Sequence, residues 1–252
     1  MYTLESIRVL LHTPLRLIIQ DSVDSTNTQL CLMAEQGAVE GTVLLAREQT
    51  SGRGRRGHRF FSPKDTGVYM SVLLRPTFPI TDALRITTTA AVAAAEAIEI
   101  ACGVPAQIKW VNDIFCGDKK VCGILTQGVP MENDLFRYVV LGIGINLAPP
   151  SNGFPAELAD IAGAVTDSTN VQSAWIAAFL DIFFSYYTNI RDNEIHRKYA
   201  ERSYLQGKLV QVLCAENTCG EVVGIDDEFH LLVRTQHGII SLDSGDVRVR
   251  LV

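Results

Sequence analysis

Long apolar runs are missing from this chain of 252 residues. No window of about 18 uninterrupted apolar residues occurs, which excludes a helical membrane span. The most apolar stretch, 86–104, is broken by Glu96 and Glu99. A secretory leader is not expected, because Glu5, Arg8, His12 and Arg16 interrupt any apolar core near the N-terminus. Cysteine is sparse: Cys31, Cys102, Cys116, Cys122, Cys214 and Cys219. None forms a C-x-x-C pair and the histidines do not cluster near them, so no metal site is expected. So thin a scatter does not make a disulfide scaffold, and reduced thiols in a cytoplasmic setting are the expectation. Cys214 and Cys219 read as two half-buried thiols near a hairpin. An excess of positive charge is also lacking: 22 Lys and Arg stand against 28 Asp and Glu, a net charge of −6. Such a chain has no broad basic field, and nucleic-acid binding is not expected.

What is present is ordinary globular composition, 47% apolar and 20% charged, in a length that allows a large domain or a medium one plus a small one. One segment departs from the acidic balance. Residues 47–59 hold five arginines against Glu48 alone. A positive patch on an acidic chain points to one anionic ligand rather than to a polyanion.

Periodicity and turn residues predict a strand over 17–20, a helix over 28–36 stopped by Gly37, and a strand over 42–46. The glycine- and arginine-rich stretch 51–59 reads as a loop, and 67–74 as a strand ended by Pro76. Thr81 or Asp82 caps a long alanine-rich helix reaching Cys102 and closed by Gly103. Strands are expected over 106–111, 121–127 and 137–145, and helical spacing over 171–202. From Gly207 onward short strands at 208–214, 220–225, 229–235, 238–242 and 247–252 alternate with turns such as Gln236-His237-Gly238 and Asp243-Ser244-Gly245. They suggest a small five-stranded barrel appended to a larger domain.

Four segments carry chemistry. In Gly52-Arg53-Gly54-Arg55-Arg56-Gly57 the glycines permit close backbone approach and positive φ, while the arginines offer planar donors to phosphate or carboxylate oxygens. This is no Walker A, which ends in Gly-Lys-Ser/Thr. The following His58-Arg59-Phe60-Phe61 makes a poor helix start, against a dinucleotide fingerprint. In Lys109-Trp110-Val111-Asn112-Asp113, a short strand running into a turn, alternation puts Lys109, Val111 and Asp113 on one face and Trp110 and Asn112 on the other. Lys120 opens an apolar strand containing Gly123-Ile124-Leu125, placed to reach an anion at the strand's end. Gly142-Ile143-Gly144-Ile145-Asn146 clears one strand face for a flat group or for packing, and Asn146 carries donors and acceptors suited to a base edge.

In this order, and with Ser25-Thr26-Asn27 and Gln49 ahead of them, the segments resemble those of biotin protein ligases in the form without an N-terminal DNA-binding domain. The resemblance spans most of 17–252. It implies an α+β fold of the class II synthetase-like, biotin-lipoate ligase kind: a mixed β-sheet with helices packed on one side, then a small SH3-like β-barrel. The implied division is a catalytic biotin- and ATP-binding domain over 1–204 and the barrel over 205–252. The implied substrates are biotin and ATP, with Mg²⁺, and the implied partner is a biotin carboxyl carrier domain with an acceptor lysine. A homodimer through an exposed sheet edge is open.

By the same resemblance, Ser25, Thr26, Asn27 and Gln49 bind the biotin head group, and Gly52, Arg53, Arg55, Lys120 and Gly123 surround its tail and carboxylate. Lys120, Arg53 and Arg55 are the catalytic cations. Gly54, Arg56, Gly57, Phe60, Lys109, Asn112, Asp113 and Asn146 fall to ATP and the adenylate. The chain departs from the family pattern at His58, where Arg is frequent, at Phe60, where Trp is frequent, and at Val111, where Pro is common. Only 24 residues precede Ser25, so a DNA-binding domain is not expected. Two rival readings stand beside this one: a lipoate or octanoate ligase of the same fold, and a regulator that binds nucleic acid through the arginine loop.

Overall fold

The computed structural model describes residues 1–213, 218–243 and 248–251. The chain runs through α1 (Leu4–Arg8), β1 (Arg16–Gln20), α2 (Thr26–Glu35), β2 (Thr42–Ala46), β3 (Gly67–Leu74), α3 (Ala83–Cys102), β4 (Gln107–Lys109), β5 (Asp113–Cys116), β6 (Lys119–Pro130) and β7 (Phe136–Asn146). Two helices follow, α4 (Gln172–Tyr187) and α5 (Asn193–Glu201), then β8 (Leu209–Leu213), β9 (Thr218–Ile225), β10 (Leu231–Thr235), β11 (Gly238–Leu242) and β12 (Arg248–Leu251). The first seven strands form one sheet in the order β1-β2-β3-β7-β6-β5-β4. β1 and β2 are parallel, with α2 between them in sequence, and the other neighbouring pairs are antiparallel. This is the mixed sheet of the expected α+β fold.

Alternation along the strands sends side chains to opposite faces. Val43, Leu45, Met70 and Val72 join the core made with α3 and α4. Leu44 and Leu73 point the other way and pack under Leu30 and Ala34 of α2. The long helices therefore share one face, while the short α2 lies on the other and walls one end of a cleft. Six alanines of α3 between Ala90 and Ala97 are fully buried, and small side chains let this helix lie close to both sheet and α4. Gly103 ends it with φ 67°, the left-handed closure that glycine accepts most readily. On α4, Trp175, Phe179 and Phe183 stack in sequence, ring centroids 5.4 and 5.9 Å apart, as the core-facing stripe predicted. The helical pattern over 171–202 is two helices rather than one. The chain turns after Tyr187, and the Asp192 carboxylate restarts a helix by accepting the Glu194 N–H.

The last five strands form a second antiparallel sheet, ordered β11-β10-β9-β8-β12, around Val210, Val212, Val222, Leu231, Val233 and Leu242. It is joined to the first sheet by stacking of Phe115 on Tyr204 at 4.6 Å and by the buried Phe229. The Trp110 indole N–H donates to the Phe229 carbonyl at 2.9 Å, and the Arg85 guanidinium lies 5.5 Å from the Phe229 ring centroid. Cys214, and Ser244 and Gly245 of the expected turn, lie outside the described residues; Cys219 is exposed. Among the described residues no helix is long and apolar enough to cross a membrane.

Candidate active site

A cleft of about 420 Å³ opens on the α2 face of the sheet. Its floor is a bald strip. Gly123 of β6 and Gly144 of β7 are register partners, and Tyr69 of β3 pairs with Gly144 on the other side. The Phe60 ring lies on this strip, so a Cβ at Gly144 would meet Phe60 Cε1 at 2.6 Å. The space cleared by Gly142 is also filled from within the protein: a Cβ there would stand 1.9 Å from Asn27 Oδ1. The alternating glycines thus seat two side chains of the site.

At the α2 end the walls are uncharged and polar. Ser25, Thr26 and Asn27 are nearly fully buried. Gln49 Oε1 accepts from the Thr26 backbone N–H at 2.9 Å and from its hydroxyl at 3.2 Å. Gln49 Nε2 donates to Ser62 Oγ at 2.9 Å. Asn27 Nδ2 donates to Gln127 Oε1 at 2.8 Å and to the Leu125 carbonyl at 3.2 Å, and its Oδ1 accepts from Ser71 at 2.6 Å. Its amide is thereby committed to the protein, and Asn27 acts on the site by holding its neighbours.

The opposite end is cationic. Lys120 Nζ lies 2.6 Å from Asp113 Oδ1, with both side chains only about a quarter exposed (29% and 26%). Arg55 donates to Asn112 Oδ1 at 3.1 Å, while Asn112 Nδ2 donates to the Ile124 carbonyl at 2.8 Å. Asn112 therefore brackets loop and strand together. Burial holds the Arg55 guanidinium below its ordinary range, and the neighbouring Arg56 adds to this. Burial likewise holds Lys109 below the usual lysine range, against the opposing pull of Asp113.

The arginine loop is a small closed turn. Gly54 N–H donates to the His58 carbonyl at 2.7 Å and Phe60 N–H to the Gly52 carbonyl at 3.0 Å. Positive φ falls at Arg56 (56°) and Gly57 (77°); Gly54 is extended at −120°. Gly52 serves close approach, since a Cβ there would stand 2.4 Å from the Phe60 carbonyl oxygen.

The Lys109–Asp113 segment corrects the expectation of alternation along all its residues. The chain reverses over Trp110, Val111 and Asn112, so Lys109 and Asp113 become partners on β4 and β5. Val111, expected on their face, is buried away from the cleft. The Trp110–Val111 peptide is cis. Turn geometry has replaced the period of two, bringing a lysine and a carboxylate to one point from a five-residue stretch.

Of the residues singled out in sequence, Ser25, Thr26, Asn27, Gln49, Arg53, Gly54, Arg55, Arg56, Phe60, Lys109, Asn112, Asp113, Lys120 and Gly123 line the cleft. Gly52, Gly57 and Asn146 do not; Asn146 is buried and its Nδ2 donates to the Gly163 carbonyl at 3.1 Å. Ser71 and Ser62 were missed, although a lone serine inside the apolar run Val68–Leu74 is a polar group that needs partners. Among the described residues no group of three or more His, Cys, Asp or Glu is placed to hold a metal ion.

Residues 19–146 match the biotin/lipoate A/B protein ligase family. The chain is 36% identical to the bifunctional ligase/repressor BirA of Bacillus spizizenii over 92% of this chain and 74% of that one. It is 27% identical to the biotin–[acetyl-CoA-carboxylase] ligase of Mycobacterium tuberculosis over 88% of this chain and 85% of that one. Among solved structures, the biotin protein ligase of Aquifex aeolicus in complex with biotin and ATP superposes with a TM-score of 0.76 at 27% identity, covering 94% of this chain and 99% of that one. The chain therefore belongs to the biotin/lipoate A/B protein ligase family.

Proposed function

We propose that this protein is an ATP-dependent biotin protein ligase, with residues 1–204 as the catalytic domain and 205–252 as the appended barrel. The observation that carries the reading is the polarity of the cleft. Ser25, Thr26 and Gln49 make one end neutral and hydrogen-bonding, while Arg55, Lys109 and Lys120 make the other cationic; Arg53, expected with them, reaches back to α2, 3.5 Å from Thr28 Oγ1. Such a cleft suits an acid with an uncharged polar head and a carboxylate that must approach a triphosphate. A ureido ring offers N–H and C=O groups to the neutral end. The dithiolane of lipoate and the alkyl chain of octanoate offer neither.

In the first step a carboxylate oxygen of biotin attacks the α-phosphorus of ATP. The bond to the β-phosphate bridging oxygen breaks, pyrophosphate leaves and biotinyl-5′-AMP remains. Carboxylate and triphosphate repel one another, and Lys120 and Arg55 offset that repulsion with charges already in place; Arg53, which lies toward Thr28, adds to them when its side chain swings to the phosphates. Preorganised charge of this kind is usually the largest catalytic contribution. Asp113 aims the Lys120 ammonium, and Asn112 aims Arg55. Mg²⁺ would come with ATP, held by phosphate oxygens and several waters, and would supply further neutralisation of the phosphate charge. In the second step the neutral amine of an acceptor lysine attacks the acyl carbon. The C–O bond to AMP breaks, the amine loses a proton, and an amide forms.

The partner is a biotin carboxyl carrier domain, and a second copy of the chain at an exposed sheet edge belongs to the same proposal. The test is incubation with ATP, Mg²⁺ and a carrier domain in three parallel reactions supplied with biotin, lipoate or octanoate. A carrier mass shift with biotin alone supports the reading. A shift with lipoate or octanoate instead replaces it with the sister activity.

A further inference from the structure

Ser71 is fully buried in the middle of β3, in register between Leu44 of β2 and Gly142 of β7. It touches two residues of the cleft wall: its Oγ lies 2.6 Å from Asn27 Oδ1 and 2.8 Å from Thr26 Oγ1. A hydroxyl has one proton and cannot donate to both at once. The direction follows from the neighbours. The Leu125 carbonyl is only an acceptor, so the Asn27 amide presents its NH₂ there and its Oδ1 to Ser71. Oδ1 is also only an acceptor, so the Ser71 proton goes to Asn27. Ser71 Oγ then stands as an acceptor toward Thr26, and the other side-chain partner of Thr26, Gln49 Oε1, is an acceptor as well. The Thr26 proton is therefore held inward, and its two lone pairs are left for the cleft that Thr26 lines.

We infer that Ser71, through this chain of hydrogen bonds, fixes Thr26 as an acceptor and so makes the cleft select acids whose head group presents an N–H. Ser71 touches no ligand; it is a positioning residue that determines specificity. The inference rests on the proposed biotin-binding reading and adds to it the polarity of recognition and the residue that sets it. A head group with a ring oxygen where biotin has N–H would bring lone pairs together and leave a buried acceptor unpaired, which costs binding.

The test compares biotin with its two cyclic carbamate analogues, in each of which one ureido N–H is replaced by O, by equilibrium binding to the intact protein. The unsubstituted protein is expected to prefer biotin to at least one analogue by about 10–100-fold, the equivalent of that unpaired acceptor. In Ser71→Ala the Thr26 hydroxyl loses the nearer of its two inward acceptors and keeps only Gln49 Oε1 at 3.2 Å, so it turns outward to donate more readily and the preference should fall several-fold through better carbamate binding and weaker biotin binding. The KM for ATP should not change. Ser71→Cys keeps a weak donor and acceptor of similar size and should give an intermediate preference; it decides the matter if the alanine variant does not fold. An unchanged preference in folded Ser71→Ala or Ser71→Cys overturns the inference, as does equal binding of biotin and both carbamates by the unsubstituted protein. Failure to bind biotin at all would instead count against the biotin-ligase reading itself.

Discussion

Lys120 Nζ and Asp113 Oδ1 stand 2.6 Å apart across the β5–β6 pair, beside Gly123, which is the register partner of Asp113. The carboxylate holds the ammonium beside Gly123, where a Cβ would stand 3.4 Å from Lys120 Nζ and 3.3 Å from the edge of the Phe60 ring. Lys120→Ala is expected to slow biotin-dependent pyrophosphate release by about 10²–10³-fold, comparable to removing one preorganised donor. Asp113→Asn keeps the cation but loosens its aim, and should cost less than Lys120→Ala. Equal turnover of Lys120→Ala and the parent protein would remove Lys120 from the mechanism.

Arg55 ties the arginine loop to the β4–β5 turn through Asn112. A closed loop has to retain the adenylate, because a mixed anhydride that escapes acylates lysines at random. Arg55→Gly removes the tie and adds flexibility. It should still form biotinyl-adenylate, yet label bystander proteins that the parent leaves alone. The measurement is a streptavidin blot of a protein mixture without a carrier domain. If adenylate forms and bystander labelling does not rise, retention belongs to Arg53 or to the Phe60 ring.

The two floor glycines make opposite demands. A methyl at Gly142 would stand 1.9 Å from Asn27 Oδ1, inside a buried network that cannot move without breaking bonds. A methyl at Gly144 would have its three nearest atoms in the Phe60 ring, the first at 2.6 Å, on a side chain carried by a loop. Gly142→Ala should therefore cost stability, about 1–3 kcal/mol for an overpacked site, together with biotin binding. Gly144→Ala should keep its melting temperature and lose catalytic rate. Adding Phe60→Ala to Gly144→Ala should cost less than the two changes summed, since each relieves the other. Strict additivity of the pair would show that the ring does not rest there.

Asp181 of α4 fastens the segment ahead of β1, accepting from the Thr13 hydroxyl at 2.7 Å and from the backbone N–H groups of His12 and Thr13. Partial burial pushes its carboxyl up, but the Thr13 and His12 hydrogen bonds outweigh burial and hold it below the usual aspartate range. A carboxylate whose folded pKa is depressed contributes stability above its unfolded pKa, and that contribution fades as pH falls through the folded value. Asp181→Asn should lower the melting temperature by about 2–4 °C at neutral pH, the equivalent of ~1 kcal/mol in a chain of this size. The gap should narrow below about pH 4. A gap independent of pH would mean that the carboxylate charge is not what fastens the segment.

Local signals carried most of this architecture. Gly103 closes α3, the alternation of β2 and β3 separates their two faces, and β8 to β11 pair in sequence order, while β12 returns to β8. The arginine loop was legible because five arginines on an acidic chain have few other uses. Reversals and long-range polar contacts were not. Nothing in the period of 106–113 marks the turn that makes Lys109 and Asp113 partners, because tertiary packing of Trp110 against Phe229 helps to hold it. Ser71 was hidden for another reason: its partners, Thr26 and Asn27, lie more than 40 positions away in sequence. Asn146 was placed by its position at a strand's end, but a carbonyl from residue 163 takes its amide.

The most direct measurement is mass spectrometry of the small molecules formed by the purified protein with biotin, ATP and Mg²⁺, in the absence of any carrier. A ligase with this mechanism forms biotinyl-5′-AMP and pyrophosphate in equal amounts, keeps the adenylate bound while pyrophosphate leaves, and forms far less of both as Lys120→Ala. No adenylate with biotin, or an adenylate formed only with lipoate or octanoate, would contradict it.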